Sequence, residues 1–143
     1  LLVSTIRVIV GQRLVRKLCE TKEAYAMDKA MRDKIATEEE FNNAFKALQE
    51  EKLVKKGTTL DDIQFHRPTP SAECADGYKS RIGIHEVLAS SPAIRDIILQ
   101  TSTTDAIEAQ PKKEGMITML EDGIYKPARG ITSIEEVFRV VSE

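Results

Sequence analysis

Between Arg81 and Ala89 the chain reads Ile-Gly-Ile-His-Glu-Val-Leu, and this alternation constrains the fold more than any other stretch. On a strand of period two, Ile82, Ile84, Glu86 and Leu88 share one face. An apolar strand face must be covered, and here a carboxylate stands in phase with it. A carboxylate in that position needs a partner. The nearby cations are Arg81 and, if the first segment packs here, Arg13 or Arg16. A structural ion pair is the plainer account. The sharper one is an arginine cluster kept near a nucleotide phosphate, with Glu86 holding an arginine in place.

Downstream of this strand the chain reads as helical. Ser91 predicts an N-cap with Pro92 at the first helical position, and Thr103 or Thr104 opens a helix over Asp105 to Glu114. Met116, Met119, Leu120 and Ile124 keep helical spacing, and Ser133 with Glu136 caps a last helix carrying Ile134, Val137, Phe138 and Val141. Pro111 falls inside the second of these and is expected to kink or split it. Upstream, Thr37 and Glu40 form a capping box ahead of Phe41, Ala44, Phe45 and Leu48. Lys52, Lys55 and Lys56 then mark the end of that helix and Gly57 its stop. Met27, Met31 and Ile35 predict a shorter helix before it. Residues 57–81 lack a helical period and read as irregular, with one strand at Ile63 to His66. In the first segment we expect a helix up to about Gly11 and a short strand through Leu14 and Val15. The sum is an α+β chain.

The first 19 residues hold Arg7, Arg13, Arg16 and Lys17 and no acid, although the whole 143-residue chain is nearly balanced at a net charge of −2. Such a balance excludes coating of nucleic acid or an anionic membrane by overall field. The basic opening is short, apolar and without interleaved aromatics, so no nucleic-acid partner is expected. It opens Leu1-Leu2-Val3-Ser4 without Met, which reads as a chain cut from a longer protein, with exposed apolar surface near Leu1 to Val10 and marginal stability. Two cysteines, Cys19 and Cys74, are too few for a disulfide framework. Free buried thiols in a reducing, cytosolic setting are the expectation, and a zinc site with His66 as third ligand the minority one. His66 and His85 otherwise read as ordinary strand residues. The sequence contains no Gly-x-x-x-x-Gly-Lys-Ser/Thr, Gly-x-Gly-x-x-Gly, His-Glu-x-x-His or Gly-x-Ser-x-Gly. We recognise no complete active site in it.

Several blocks occur in a telling order: Gln12-Arg13-Leu14-Val15-Arg16-Lys17-Leu18-Cys19, then Gly77-Tyr78-Lys79-Ser80-Arg81 running into the strand as far as Leu88. Glu114-Gly115-Met116, Asp122-Gly123, Gly130-Ile131-Thr132-Ser133 and Glu135-Glu136-Val137 come after them. In this the chain resembles the C-terminal part of the hexameric assembly ATPases of type II secretion and type IV pili, from Ser4 to Val140, with residues 27–66 only loosely similar. The resemblance implies the edge of a RecA-like core over 1–26, an inserted helical pair and linker over 27–66, a loop and strand over 67–90, and a C-terminal helical region over 91–143. It further implies a homo-hexameric motor that uses ATP and Mg and acts on an inner-membrane platform protein, cytoplasmic and peripheral to that membrane. The family's phosphate loop lies upstream of the Gln-Arg-Leu-Val-Arg block, so this chain alone is expected to be inactive. Gln12, Arg13, Arg16, Arg81 and Glu86 then become structural or relay residues. Many members bind zinc through two Cys-x-x-Cys pairs, of which Cys19 and Cys74 are what this chain keeps. Ser80 stands where the family has Gly. Pro111 and Pro127 fall where related helices continue. The alternative is a stand-alone adaptor or zinc-stabilised binding module without ATPase activity.

Overall fold

A computed structural model describes residues 2–35, 37–50, 52, 54, 55, 57, 60–100 and 103–142. A single helical turn, α1 (Leu2–Thr5), leads into a long strand β1 (Val8–Leu18). The expected helix thus ends well before Gly11. Val8, Ile9, Val10 and Val15 are stiff at χ1 and favour the pleated backbone, and Gly11 sits inside the strand. β1 pairs antiparallel with β4 (Tyr78–Ala89), from Val8 opposite Ala89 to Arg16 opposite Arg81, and the register shifts between Arg16 and Leu18.

Between these strands the chain builds a smaller unit. β2 (Lys22–Ala26) and β3 (Gln64–Pro68) pair antiparallel, from Lys22 opposite Pro68 to Ala26 opposite Gln64. They flank α2 (Lys29–Ile35) and α3 (Glu38–Glu50). The Asp28 carboxylate accepts from Met31 N at 2.8 Å and starts α2. The Thr37–Glu40 capping box forms as expected: Thr37 Oγ1 accepts from Glu40 N, and Glu40 Oε2 accepts from Thr37 N at 2.8 Å. α3 stops at Glu50, earlier than the lysines suggested. Lys52 already has a positive φ, which ends the helix before the charge gradient does, and Lys56 lies outside the described residues. Met27, Phe41, Ala44, Leu48, Ile63 and Phe65 close a core with Ile124 and Ile134 from the C-terminal helices.

Those helices are α4 (Pro92–Leu99), α5 (Thr104–Lys113), α6 (Met119–Ala128) and α7 (Ile134–Val141). Ser91 caps α4 as expected, accepting from Ile94 N. α5 is not split at Pro111, which lies in its last turn with only Lys112 and Lys113 after it, so the lost i→i−4 bond and the ring's clash with the preceding turn fall at the end of the helix. Pro127 occupies the same place in α6. A second core joins β1, β4 and α7 through Val15, Ile84, Val137 and Val140. The opposite face of this ribbon is bare. Val8, Val10, Leu14 and Val87 are each about half exposed, as is Ile9, in line with the expected apolar surface of the opening segment. No helix among the described residues is long and apolar enough to cross a membrane.

Candidate functional site: an arginine–glutamate node

Three of the separate sequence blocks meet around one carboxylate. Glu136, in the first turn of α7, has a side chain only 1% exposed. Its oxygens accept from Arg16 Nε at 3.1 Å and Arg16 Nη2 at 2.9 Å, from the Arg16 backbone N at 3.1 Å, and from Arg139 Nε and Nη2 at 3.1 and 2.9 Å. Planar guanidinium forks suit such two-pronged recognition. Burial by itself would raise the Glu136 pKa, but the hydrogen bonds from Arg139 and Arg16 outweigh it and hold the value down at about 2. Ser133 caps α7 by accepting from Glu136 N at 3.2 Å. The reciprocal half of the expected capping box is replaced, since the Glu136 carboxylate is taken by the arginines.

Around Arg16 the remaining bonds lock the ribbon to the helices. Asp76 Oδ2 accepts from Arg16 Nη1 at 3.0 Å, and the Arg16 guanidinium lies 4.2 Å from the Tyr78 ring centroid, within cation–π range. The Tyr78 hydroxyl bonds Ser133 Oγ at 2.7 Å, and Thr132 Oγ1 donates to the Arg16 carbonyl at 2.7 Å. Leu18 N donates to Ile131 O at 2.9 Å. Gly130 to Val137, Gly77 to Arg81 and Arg13 to Leu18 are therefore one structural unit, although as many as 120 positions separate its partners. Beside it lies an open groove of about 500 Å³ bordered by Arg16, Asp76, Tyr78, Lys79, Ser80 and Arg81. Ser80 holds φ +63°, so the position where the resemblance implied Gly does demand left-handed backbone.

The other expected residues distribute differently. Arg13 reaches the far end of α7 and donates through Nη1 to the Val140 carbonyl, satisfying an orphan acceptor at the negative end of the helix dipole. Glu86 pairs with no arginine: its Oε2 accepts from Met119 N at 3.1 Å, the start of α6. Both accounts offered for Glu86 are corrected by this bond, and the reason is that a helix N-terminus supplies the positive partner. Thr118 and Glu121 complete that end with a reciprocal capping box not foreseen from sequence. Gln12 and Arg81 stand exposed on the bare side of the ribbon, and neither bonds Glu136. His85 N donates to Asp122 Oδ2 at 2.8 Å. His66 is half-buried, and burial with nearby Lys22 lowers its pKa.

Cys19 and Cys74 are joined as a disulfide with Cα atoms 6.7 Å apart. The expectation of free thiols is thereby corrected: the end of β1 and the turn before β4 pack together, which the 55-residue separation in sequence conceals. Bonded to each other, the sulfurs are not available as the thiolates zinc requires. Among the described residues no group of three or more His, Cys, Asp or Glu side chains is placed to hold a metal. The residues present do not fit a zinc site. Glu136 is the residue of this node that sequence reasoning missed. The signal was there, since Glu136 lies in phase with Val137 and Val140 on the buried side of α7, just as Glu86 lies in phase on β4.

Comparison with known proteins covers nearly the whole chain. The family model described as Type II/IV secretion system protein matches residues 1–139. The chain belongs to that family. It is 32% identical over 146 residues to a type IV pilus assembly ATPase PilB of Pseudomonas aeruginosa, covering 99% of this chain and 22% of that protein. It is 36% identical over 144 residues to a type II secretion system protein E of Xanthomonas campestris, covering 100% of this chain and 22% of that protein. The type II secretion system ATPase E of Vibrio cholerae is 32% identical over 145 residues, covering 100% of this chain and 25% of that protein. The chain thus spans between a fifth and a quarter of the length of these relatives.

Proposed function

We propose that this chain is the C-terminal part of a hexameric motor ATPase of type IV pilus assembly or type II secretion, serving as its structural and motion-relay portion. The observation that carries the reading is that three sequence blocks meet around Arg16, Tyr78, Ser133 and Glu136, within a chain whose family match runs almost end to end. Arg13, Arg16 and Glu86 each fasten the β1–β4 ribbon to a different helix terminus or side chain. A load applied to the ribbon is passed to α6 and α7 through charge-assisted bonds rather than through loops. The bare apolar face of the ribbon fits the edge of a RecA-like core sheet whose remainder belongs to the same polypeptide.

The residues present supply no phosphate loop to hold ATP and Mg. Their place is in the longer polypeptide, where ATP binding and hydrolysis would close and open six subunits against an inner-membrane platform protein. The peripheral, cytoplasmic position of this reading rests on that partner. A zinc-stabilised binding module is not favoured, because the two cysteines are bonded to each other.

The test is Mg·ATP hydrolysis by this chain alone and by the polypeptide joining it to its upstream coding sequence. Activity in the longer form only is the expected result. No phosphate loop upstream, or no hydrolysis in either form, would replace the motor reading by the adaptor.

A further inference from the structure

The Cys19–Cys74 bond lies at the neck of the inserted unit. Cys19 ends the β1 side, with its N–H donating to Gly77 O at 3.0 Å, and Cys74 sits in a tight turn closed by Ser71 N to Cys74 O at 2.9 Å and Gly77 N to Cys74 O at 3.0 Å. All of β2, α2, α3 and β3 lies between the two cysteines. The same turn carries Asp76, which accepts from Arg16 Nη1 at 3.0 Å and from Tyr78 N at 3.1 Å. We propose that Cys19 and Cys74 are a reversible thiol–disulfide modification site, whose substrate class is a cellular dithiol or glutathione, and whose oxidised form pins the 71–77 turn against the node.

Both sulfur-bearing residues are buried, yet Glu20, Glu73, Ala75 and Asp76 beside them are exposed. Opening the turn exposes the bond to a reductant without unfolding either core. In the reduction a reductant thiolate attacks one protein sulfur, the S–S bond breaks, and the departing cysteine thiolate takes up a proton. A second reductant thiolate then attacks the reductant sulfur of the mixed disulfide, and the other protein cysteine leaves as a thiolate that takes up the second proton. The protein gains two electrons and two protons, and the reductant leaves as its own disulfide. Once reduced, the turn is held by its backbone bonds and by an Arg16–Asp76 pair whose side chains are 39% and 59% exposed, and such a pair contributes little. The buried Arg16–Glu136 contacts do not involve the turn and persist.

The experiment uses the full chain equilibrated in glutathione buffers of graded redox ratio, then denatured with N-ethylmaleimide and weighed intact. Expected are no labels after oxidised glutathione and two after dithiothreitol, with the change reversible. Hydrogen exchange should then show amides of 71–78 exchanging about tenfold or more faster in the reduced protein, with those of β4 beyond Ile82 unchanged. Cys74→Ser should exchange at the reduced rate with or without dithiothreitol. Two labels after oxidised glutathione, or zinc retained with both thiols, would overturn the proposal. So would identical exchange in the oxidised and reduced proteins, a comparison that needs no variant to fold.

Discussion

The ribbon region and the inserted unit are stabilised in opposite ways. The insert is held by apolar packing of Phe65, Leu48 and Phe41, all nearly inaccessible, against Ile124 and Ile134 of α6 and α7, and its main polar tie to α6 is Asn43 Nδ2 to Glu121 Oε1 at 2.8 Å. The ribbon buries one face through Val15 and Ile84 and leaves Val8, Val10, Leu14 and Val87 half exposed. What fixes it against the helices is charge: Arg13, Arg16 and Glu86 against α7 and α6. Apolar packing is non-directional and tolerates small shifts, whereas a bidentate carboxylate–guanidinium bond specifies one position. The Arg16–Glu136 bond is of the second kind and fixes where β1 sits on α7.

Truncation of Phe65 is the largest expected break in that contrast. Phe65→Ala should destabilise the chain by about 4 kcal/mol, the usual cost of emptying a fully buried aromatic site. Chemical denaturation measures the loss. Hydrogen exchange should show β2 and β3 opening before β1 and β4, and simultaneous opening would mean that the two regions are one cooperative unit.

Acid titration probes the other region. Glu136 has a folded pKa of about 2 against an ordinary 4.5, so its stabilisation is fully present above pH 4.5 and is lost as pH falls toward 2. The shift corresponds to about 3 kcal/mol. Glu136→Gln should remove most of that acid-limb dependence while leaving the insert intact. The insert has its own signature at the other end of the scale. Tyr25 is pushed up to about 12 by burial, reinforced by Glu135, so the stabilisation it provides is present below pH 10 and fades as pH rises through 12. Thermal unfolding measured across pH should therefore weaken the ribbon first in acid and the insert first in alkali. Loss of both regions together in acid, unchanged by Glu136→Gln, would defeat the contrast.

The smallest expected effect sharpens it. Ser80 is held at φ +63° within β4, and Ser80→Gly should relieve left-handed strain and stabilise the chain by about 0.5–1 kcal/mol after glycine's larger chain entropy is subtracted. A modest rise in melting temperature is the readout. No gain would show that the strain is already offset by the bonds around Asp76 and Tyr78.

Much of the architecture was legible because it rests on local signals. The Thr37 capping box, the Ser91-Pro92 helix start and the 82–88 alternation are each written within a few residues, and each formed where expected. Errors arose where local and distant preferences compete. Val8 to Val10 can satisfy a helical period, but pairing with Val87 to Ala89 decides for strand. Lys22 to Ala26 carries no strong strand pattern and becomes β2 only because β3 supplies the ladder. The candidate site was half legible: Arg13, Arg16 and Glu86 stood out as charges among apolar residues, but their partners did not.

The sequence by itself determined the α+β class, the helix starts, the family resemblance and the need for buried charges to be compensated, since these depend on residue type and short spacing. Tertiary structure alone decided that Glu136 receives Arg16, that the start of α6 satisfies Glu86, and that Cys19 meets Cys74. Each of these contacts joins residues 33 or more positions apart. No periodicity reports such a contact, because the energy that selects it appears only once the chain has closed on itself and removed the alternatives from water.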